Sequence, residues 1–261
     1  MEKRKNSSKE VRSLKRGLMI LESFTPKRYG LSLSQVSKII RTPKSTTFRL
    51  LNTLNELNYI KYDGKLREYY PGPRILSLGF SILQTMEIRE IAKPYLEKLA
   101  RECERTVNLA VLDKIDMVYI ERIKIHNIRD FYISIGDRIP VYNTAIGKAV
   151  LAYLEKGKLY EIFREIKKIP GVFQGFGKNG SRLIKELETI RINGYALNDE
   201  EFLKGIRAIA VPIFTPQGIS YGINIVVPSG EVSVVELQKY FVPKLIEIGK
   251  EISEATGYKF K

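Results

Sequence analysis

The chain has 261 residues, of which 44% are hydrophobic, enough for two domains with a core each. It has no apolar run of about 18 residues to span a membrane, and its start, Met1-Glu-Lys-Arg-Lys-Asn-Ser-Ser8, lacks the apolar stretch of a secretory signal. The single cysteine, Cys103, excludes an internal disulfide framework and argues against zinc. The chain therefore reads as cytoplasmic, with no cofactor, metal or membrane partner expected. Its formal net charge of +15 is unevenly spread. Residues 1–75 hold 17 Lys and Arg against 6 Asp and Glu, while the remainder holds 27 against 23. An excess concentrated in under a third of the chain points to a polyanionic partner.

Residues 1–12 are polar, basic and aperiodic, and are expected to form an arm. Leu14, Leu18, Leu21 and Phe24 then recur at helical spacing. After the break at Pro26 and Gly30, Ser32 or Ser34 can cap a short helix whose apolar stripe is Leu33, Val36, Ile39 and Ile40. Thr42 and Pro43 read as N-cap and first residue of a third helix running to about Leu57. Asp63-Gly64, between two Tyr-rich runs, signals a tight hairpin. Three helices and a hairpin make a winged helix-turn-helix. Pro71-Gly72-Pro73 closes it, and 74–86 reads as a linking helix.

The remaining chain starts with a helix over 88–103. Extended runs at 107–112 and 117–123 follow, joined by a polar turn, and 131–135 is predicted as a third strand. Helices are predicted over 144–154, 158–167 and 181–193, the last capped by Asn179 or Ser181 after a loop over 170–180. Strands over 206–214 and 221–227 flank a turn, and a long helix closes the chain from about Val232. Helices alternating with adjacent strands predict an α+β domain whose sheet contains antiparallel pairs.

On a helical wheel, Thr47, Leu50, Leu51, Leu54 and Leu57 share one side, the predicted core face. Ser45, Phe48, Arg49 and Asn52 share the other, with Lys44 at its edge. Ser, Arg and Asn hydrogen-bond base edges or phosphates in a major groove, and an ordinary solvated face would not centre on a phenylalanine. Lys44, Ser45, Thr46, Phe48, Arg49 and Asn52 are thus the predicted groove-facing set. Lys3, Arg4, Lys5, Arg12, Lys15 and Arg16, with Lys61, Lys65 and Arg67 around the hairpin tip, are expected on phosphates or in a minor groove.

Here the sequence resembles the IclR family of bacterial and archaeal regulators. The likeness is carried by Val11-Arg-Ser-Leu-Lys-Arg-Gly-Leu-Met-Ile-Leu-Glu-Ser-Phe24, Leu31-Ser-Leu-Ser34 and Pro43-Lys-Ser-Thr-Thr-Phe-Arg-Leu-Leu51. It continues through Thr106-Val-Asn-Leu-Ala-Val-Leu-Asp113, Val118-Tyr-Ile-Glu-Arg122 and Asn143-Thr-Ala-Ile-Gly-Lys-Ala149. The last blocks are Gly194-Tyr-Ala-Leu-Asn-Asp-Glu-Glu201 and Gly205-Ile-Arg-Ala-Ile-Ala-Val-Pro-Ile213. The resemblance implies a winged-helix domain over 1–73, a linker helix over 74–86 and a GAF-like effector-binding and oligomerisation domain over 87–261. It also implies a homodimer or homotetramer, and matching by residue places an effector pocket at Ala145, Ile146, Asn198, Ile206, Ala208, Asn224 and Val226. The N–H groups opening the helix after Asn143 suit a carboxylate. Ala208 stands where a cysteine is frequent in the family, and Val226 where some members have serine. Fewer polar groups suggest an apolar or aromatic carboxylate. The expectation is a sequence-specific regulator of double-stranded DNA, a repressor whose operator affinity answers to a small organic effector.

The alternative is a small-molecule or nucleotide-binding enzyme with a basic accessory domain. Cys103 ends an amphipathic helix, where a buried thiol is the plainer reading, and His126, the one histidine, sits in a polar connection. Asp199-Glu200-Glu201 are adjacent and poorly placed to converge on one substrate. Gly175-Phe-Gly-Lys-Asn-Gly180 fits G-x-G-x-x-G, with Asp199 beyond it. That pattern means little without a preceding strand, and Val172-Phe173-Gln174 is too short to supply one.

Overall fold

The computed structural model describes residues 10–25, 28–125, 133–177 and 180–260. Residues 1–9 of the arm expected over 1–12, with Lys3, Arg4 and Lys5, and His126 lie outside them. Contacts divide the chain into two units, 1–85 and 86–261.

The first unit contains α1 (Arg12–Glu22), α2 (Leu33–Ile39), α3 (Lys44–Glu56), β1 (Ile60–Asp63), β2 (Glu68–Pro71) and α4 (Pro73–Thr85). Its core gathers Ile20, Leu31, Val36, Ile40, Leu51, Ile60 and Tyr69. Ser32 caps α2 in a reciprocal box with Gln35, which satisfies two backbone donors at the helix start. Four expectations shift in detail. Leu14 and Leu18 are 63% and 52% exposed, and α1 buries Ile20 instead. Pro43, not Thr42, is the N-cap of α3, because Thr42 turns its hydroxyl back onto the Ile40 carbonyl. Leu57 ends the helix and stays exposed. The hairpin is a four-residue connection, since Asp63 pairs with Glu68. The Asp63 carboxylate accepts from the Lys65 and Leu66 N–H groups, and the positive φ falls on Arg67 rather than Gly64.

The second unit opens with α5 (Glu87–Cys103) and is built on β3 (Thr106–Asp113), β4 (Asp116–Ile123), β5 (Arg138–Pro140), β6 (Ala196–Asp199), β7 (Ile206–Thr215) and β8 (Gly218–Pro228). These form one antiparallel sheet in the order β5-β4-β3-β8-β7-β6. One face packs on α6 (Ala145–Tyr153), which also packs on α8 (Ser181–Asn193); α7 (Lys156–Ile166) lies between them in sequence. The other face packs on α5 and α10 (Val242–Ala255). Before α10 come the short α9 (Val234–Glu236) and a π-turn over Leu237–Phe241. Pro243, in the first turn of α10, lacks the N–H that would tighten the turn before it.

Three expectations change here. Residues 131 and 132 lie outside the described set, and 133–135 are not strand. Ser134 N–H donates to Asp137 and Gly136 takes a positive φ, so the chain turns there and the pairing strand is Arg138–Pro140. Gly180 in the left-handed region, not a polar side chain, caps α8. Ala196–Asp199, for which no strand was expected, form the edge strand β6.

Candidate nucleic-acid interface and effector site

The turn between α2 and α3 is stiffened at one carbonyl. Ser37 and Thr47 hydroxyls donate to the Thr42 oxygen at 2.7 and 3.2 Å, while Arg41 holds a left-handed backbone between the helices. This fixes the angle at which α3 presents its outer side. Lys44, Ser45, Phe48 and Arg49 are exposed there, Asn52 is half-buried beside them, and Thr46 stands half-buried at the edge. Phe48 is 47% exposed. Opposite this face, Thr47 and Leu51 are buried.

The wing closes a cleft of about 530 Å³ against α3, lined among others by Phe48, Asn52, Asn55, Tyr62 and Arg67. Asn55 accepts from the Tyr62 N–H at 3.2 Å, tying wing to helix. Leu31 and Tyr69 exchange backbone hydrogen bonds at 3.0 and 2.8 Å, an isolated bridge that ties the chain before α2 to the two-stranded wing. Gly30 precedes it, where a Cβ would lie 2.5 Å from the Glu68 carboxylate and 2.7 Å from the Tyr70 ring. Lys61, Lys65 and Arg67 are exposed along the wing. On α1, Arg12 is exposed and Arg16 half-buried; Lys15 is paired with Glu10 at 2.6 Å, which reduces its charge for a polyanion. Asn55 and Tyr62 were absent from the sequence reading. Their signal is the register of the hairpin, which places Tyr62 beside the outer end of α3.

In the second unit, Thr144 caps α6, accepting from the Gly147 N–H and donating to the Pro140 carbonyl. Gly147 is required because a Cβ would lie 2.3 Å from the Val141 oxygen. α6 rests on the sheet at Gly222, where a Cβ would meet Ile146 at 3.0 Å and Val150 at 3.1 Å. The seven predicted effector residues come together between this helix and the sheet. Ala145, Ile146, Ile206, Ala208 and Val226 share one apolar cluster, and Asn198 and Asn224 are 3% exposed. Asn198 reaches the same helix start, donating to the Asn143 carbonyl at 2.7 Å.

Pairing register explains the convergence. Asn198, Ala208, Val226 and Thr106 are cross-strand partners, and so are Ala196, Ala210, Asn224, Asn108 and Arg122. Partners in an antiparallel pair share a face. Sequence reasoning passed over Thr106, Asn108, Tyr119 and Arg122 on this face. Asn108, an amide inside an otherwise apolar strand, was the available signal. Its Nδ2 donates to Asn224 Oδ1 at 2.8 Å, and Asn224 Nδ2 donates to the Tyr119 hydroxyl at 3.4 Å. Burial pushes the Tyr119 phenol up to about 12 and Arg122 below its ordinary value.

The enzyme features do not assemble. Cys103 is buried, with its thiol pushed up by burial. The 175–180 glycine pattern begins inside a 3₁₀ turn over Phe173–Phe176 rather than after a strand. Asp199 and Glu200 both pair with Arg207, Glu200 also accepting the Gly205 N–H, while Glu201 turns to Lys148. Among the described residues no group of acidic, His or Cys side chains suits a metal, and no helix is long and apolar enough to cross a membrane.

A helix-turn-helix with a basic wing, joined to an antiparallel α+β domain with a buried polar cluster, defines a DNA-binding regulator. The IclR helix-turn-helix model matches residues 13–64, and the model for the bacterial transcriptional regulator IclR C-terminal domain matches 80–254. The chain belongs to the IclR family of transcriptional regulators. It is 31% identical over 252 residues to the regulator XynR of Escherichia coli, covering 95% of this chain and 98% of that one. It is 30% identical to KdgR of the same organism, covering 92% and 90%. An IclR family regulator from Brucella abortus has the same fold, with a TM-score of 0.81 and 28% identity over 95% of this chain and 94% of that one. These relatives are regulators, and the chain is a regulator rather than an enzyme.

Proposed function

We propose that the protein is a cytoplasmic, operator-binding repressor that reads double-stranded DNA through the outer side of α3 and whose affinity is set by a small organic carboxylate. The observation that carries the reading is the exposure of Lys44, Ser45, Phe48 and Arg49 on one side of a helix whose other side is core. Asn52 and Thr46 complete the groove-facing set. Lys65 and Arg67 on the wing, with Arg12 and Arg16 on α1, hold phosphates and fix register. α4 links the reader to the effector domain. The protein works as a homodimer or homotetramer on a palindrome, because one winged helix reads too few base pairs. Exposed Leu14 and Leu18 on α1 and Leu76 and Phe80 on α4 supply apolar surface for the pairing.

The effector occupies the layer between α6 and the sheet, at Ala145, Ile146, Asn198, Ile206, Ala208, Asn224 and Val226. Its carboxylate is held by the amides opening α6 and by Arg122, whose Nε is buried without a hydrogen-bond partner among the described residues. The test begins with operator selection from random DNA by the full chain. Arg49→Ala should cost about 1–3 kcal/mol and relax one position of each half-site. If Arg49→Ala and Asn52→Ala both bind as wild type, α3 is not the reader. Carboxylates are then screened by thermal shift against wild type and Ala208→Leu, which fills the pocket floor. Equal shifts in both proteins place the effector elsewhere.

A further inference from the structure

The outer side of α3 carries a large apolar side chain among polar ones. Phe48 is 47% exposed, and Lys44, Ser45 and Arg49 around it are exposed as well. The other large exposed apolar residue here, Leu57, stands at the C-terminal end of the helix. The core does not account for Phe48, because Leu50, Leu51 and Leu54 close it from the opposite side. Helix propensity does not account for it either, since lysine, glutamine or glutamate would serve a solvated helix better.

The surroundings of the ring restrict its partner. Ser45, Phe48 and Asn52 stand at i, i+3 and i+7, one stripe along the helix with Phe48 in its middle. Phe48 and Asn52 also line the cleft of about 530 Å³ that Tyr62 and Arg67 of the hairpin border. A second copy seated here by two-fold symmetry would set Lys44 and Arg49 against their own counterparts, and no carboxylate lies between residues 44 and 55 to offset them. A duplex meets the same cations with phosphates at the rim and base edges in the middle.

Base edges in the major groove offer hydrogen-bond donors and acceptors, and a single kind of alkyl group, the thymine 5-methyl. A phenyl ring laid over a donor or acceptor strips its water and returns no hydrogen bond. Laid over the methyl, it removes apolar surface of both partners from water. Adenine, opposite thymine, presents the N6 and N7 edge that an asparagine pairs with, and Asn52 stands one helical turn from Phe48. We infer that Phe48 reads a thymine by its 5-methyl group, so that each half-site of the operator carries an A·T pair recognised through this apolar contact. This rests on α3 being the reader, as proposed above, and adds a base identity to it.

The test takes the operator selected by the full chain and replaces its thymines one position at a time, in both half-sites, by deoxyuridine, which removes only the methyl. Affinity is read by fluorescence anisotropy at one fixed salt concentration. At one symmetric position, wild type should bind more weakly by about fourfold for each half-site changed. Phe48→Ala should bind the thymine and deoxyuridine operators within about twofold of each other. The ring lies on the surface, so this variant keeps its core, which an unchanged melting temperature verifies. Wild type that is indifferent to deoxyuridine at every thymine overturns the inference, and so does a thymine preference that Phe48→Ala retains. If Arg49→Ala weakens binding while deoxyuridine has no effect, the inference is overturned and α3 stands as the reader. If deoxyuridine has no effect and Arg49→Ala and Asn52→Ala bind as wild type, both fall.

Discussion

Lys148 offers the sharpest test of the energetics in the second unit. Its side chain is completely buried in α6, and its ammonium is paired with Glu186 of α8 and, at 2.9 Å, with both oxygens of Glu201. The carboxylates are less enclosed, at 35% and 46% exposed. Removing the two sides should therefore have unequal costs. Lys148→Met replaces the ammonium with an apolar chain of similar length and leaves carboxylates that water can reach, so stability should stay within about 1 kcal/mol of wild type. Glu186→Gln with Glu201→Gln strands a buried ammonium between neutral amides and should cost about 3–5 kcal/mol. Adding Lys148→Met to that pair should recover most of the loss, a coupling of about 3 kcal/mol. Guanidinium unfolding of each full-length variant, followed by circular dichroism, measures all three. The reasoning fails if Lys148→Met is the most damaging change, or if the triple variant is no more stable than the double.

Gly147→Ala should destabilise the domain by about 3 kcal/mol or abolish its folding, because the new Cβ would lie 2.3 Å from the Val141 carbonyl oxygen; an unchanged melting temperature would contradict this. Burial raises the Tyr119 phenol from 10.0 to about 12. Its folded form stays neutral where the unfolded chain ionises, so this stability is full below pH 10 and is lost between pH 10 and about 12. The loss should be about 1.4 kcal/mol per pH unit in that window, and Tyr119→Phe should lack it in alkaline denaturation profiles. Lys65→Gln with Arg67→Gln should weaken binding to all DNA sequences alike and make the salt dependence of affinity shallower, read by filter binding over a salt series.

The DNA-reading unit was largely legible because its signals are local. Ser32 with Gln35, the 3.6 period of α3 and the Pro71-Gly72-Pro73 stop each act within a few residues. Where local rules compete, the outcome was not legible. Asp63-Gly64 fits a two-residue turn, yet the Asp63 carboxylate accepts two N–H groups farther on and moves the left-handed residue to Arg67. Leu57 continues the apolar stripe on a wheel, but the helix ends there and leaves it exposed. β6 was missed because four residues that include Asn198 and Asp199 lack strand character until β7 supplies an edge to pair with.

The polar end of the proposed effector site was hidden for a different reason. Asn108 and Asn224 are 116 residues apart in sequence, and only the register of β3 against β8 sets them opposite each other. A shift of one residue would turn Asn108 to the α5 side, where its amide would face an apolar layer. The register is itself fixed by side chains that carry no recognition role, since Val107, Leu109, Ile223 and Ile225 must face that layer together. The helix over the site is pinned as well, by the Thr144 cap, by Gly147 against Val141 and by Lys148. Core packing thus places the amide pair and the start of α6 before any ligand arrives. If an effector binds there as proposed, little of its binding energy goes to ordering these elements, and more is left to distinguish two protein states of different operator affinity.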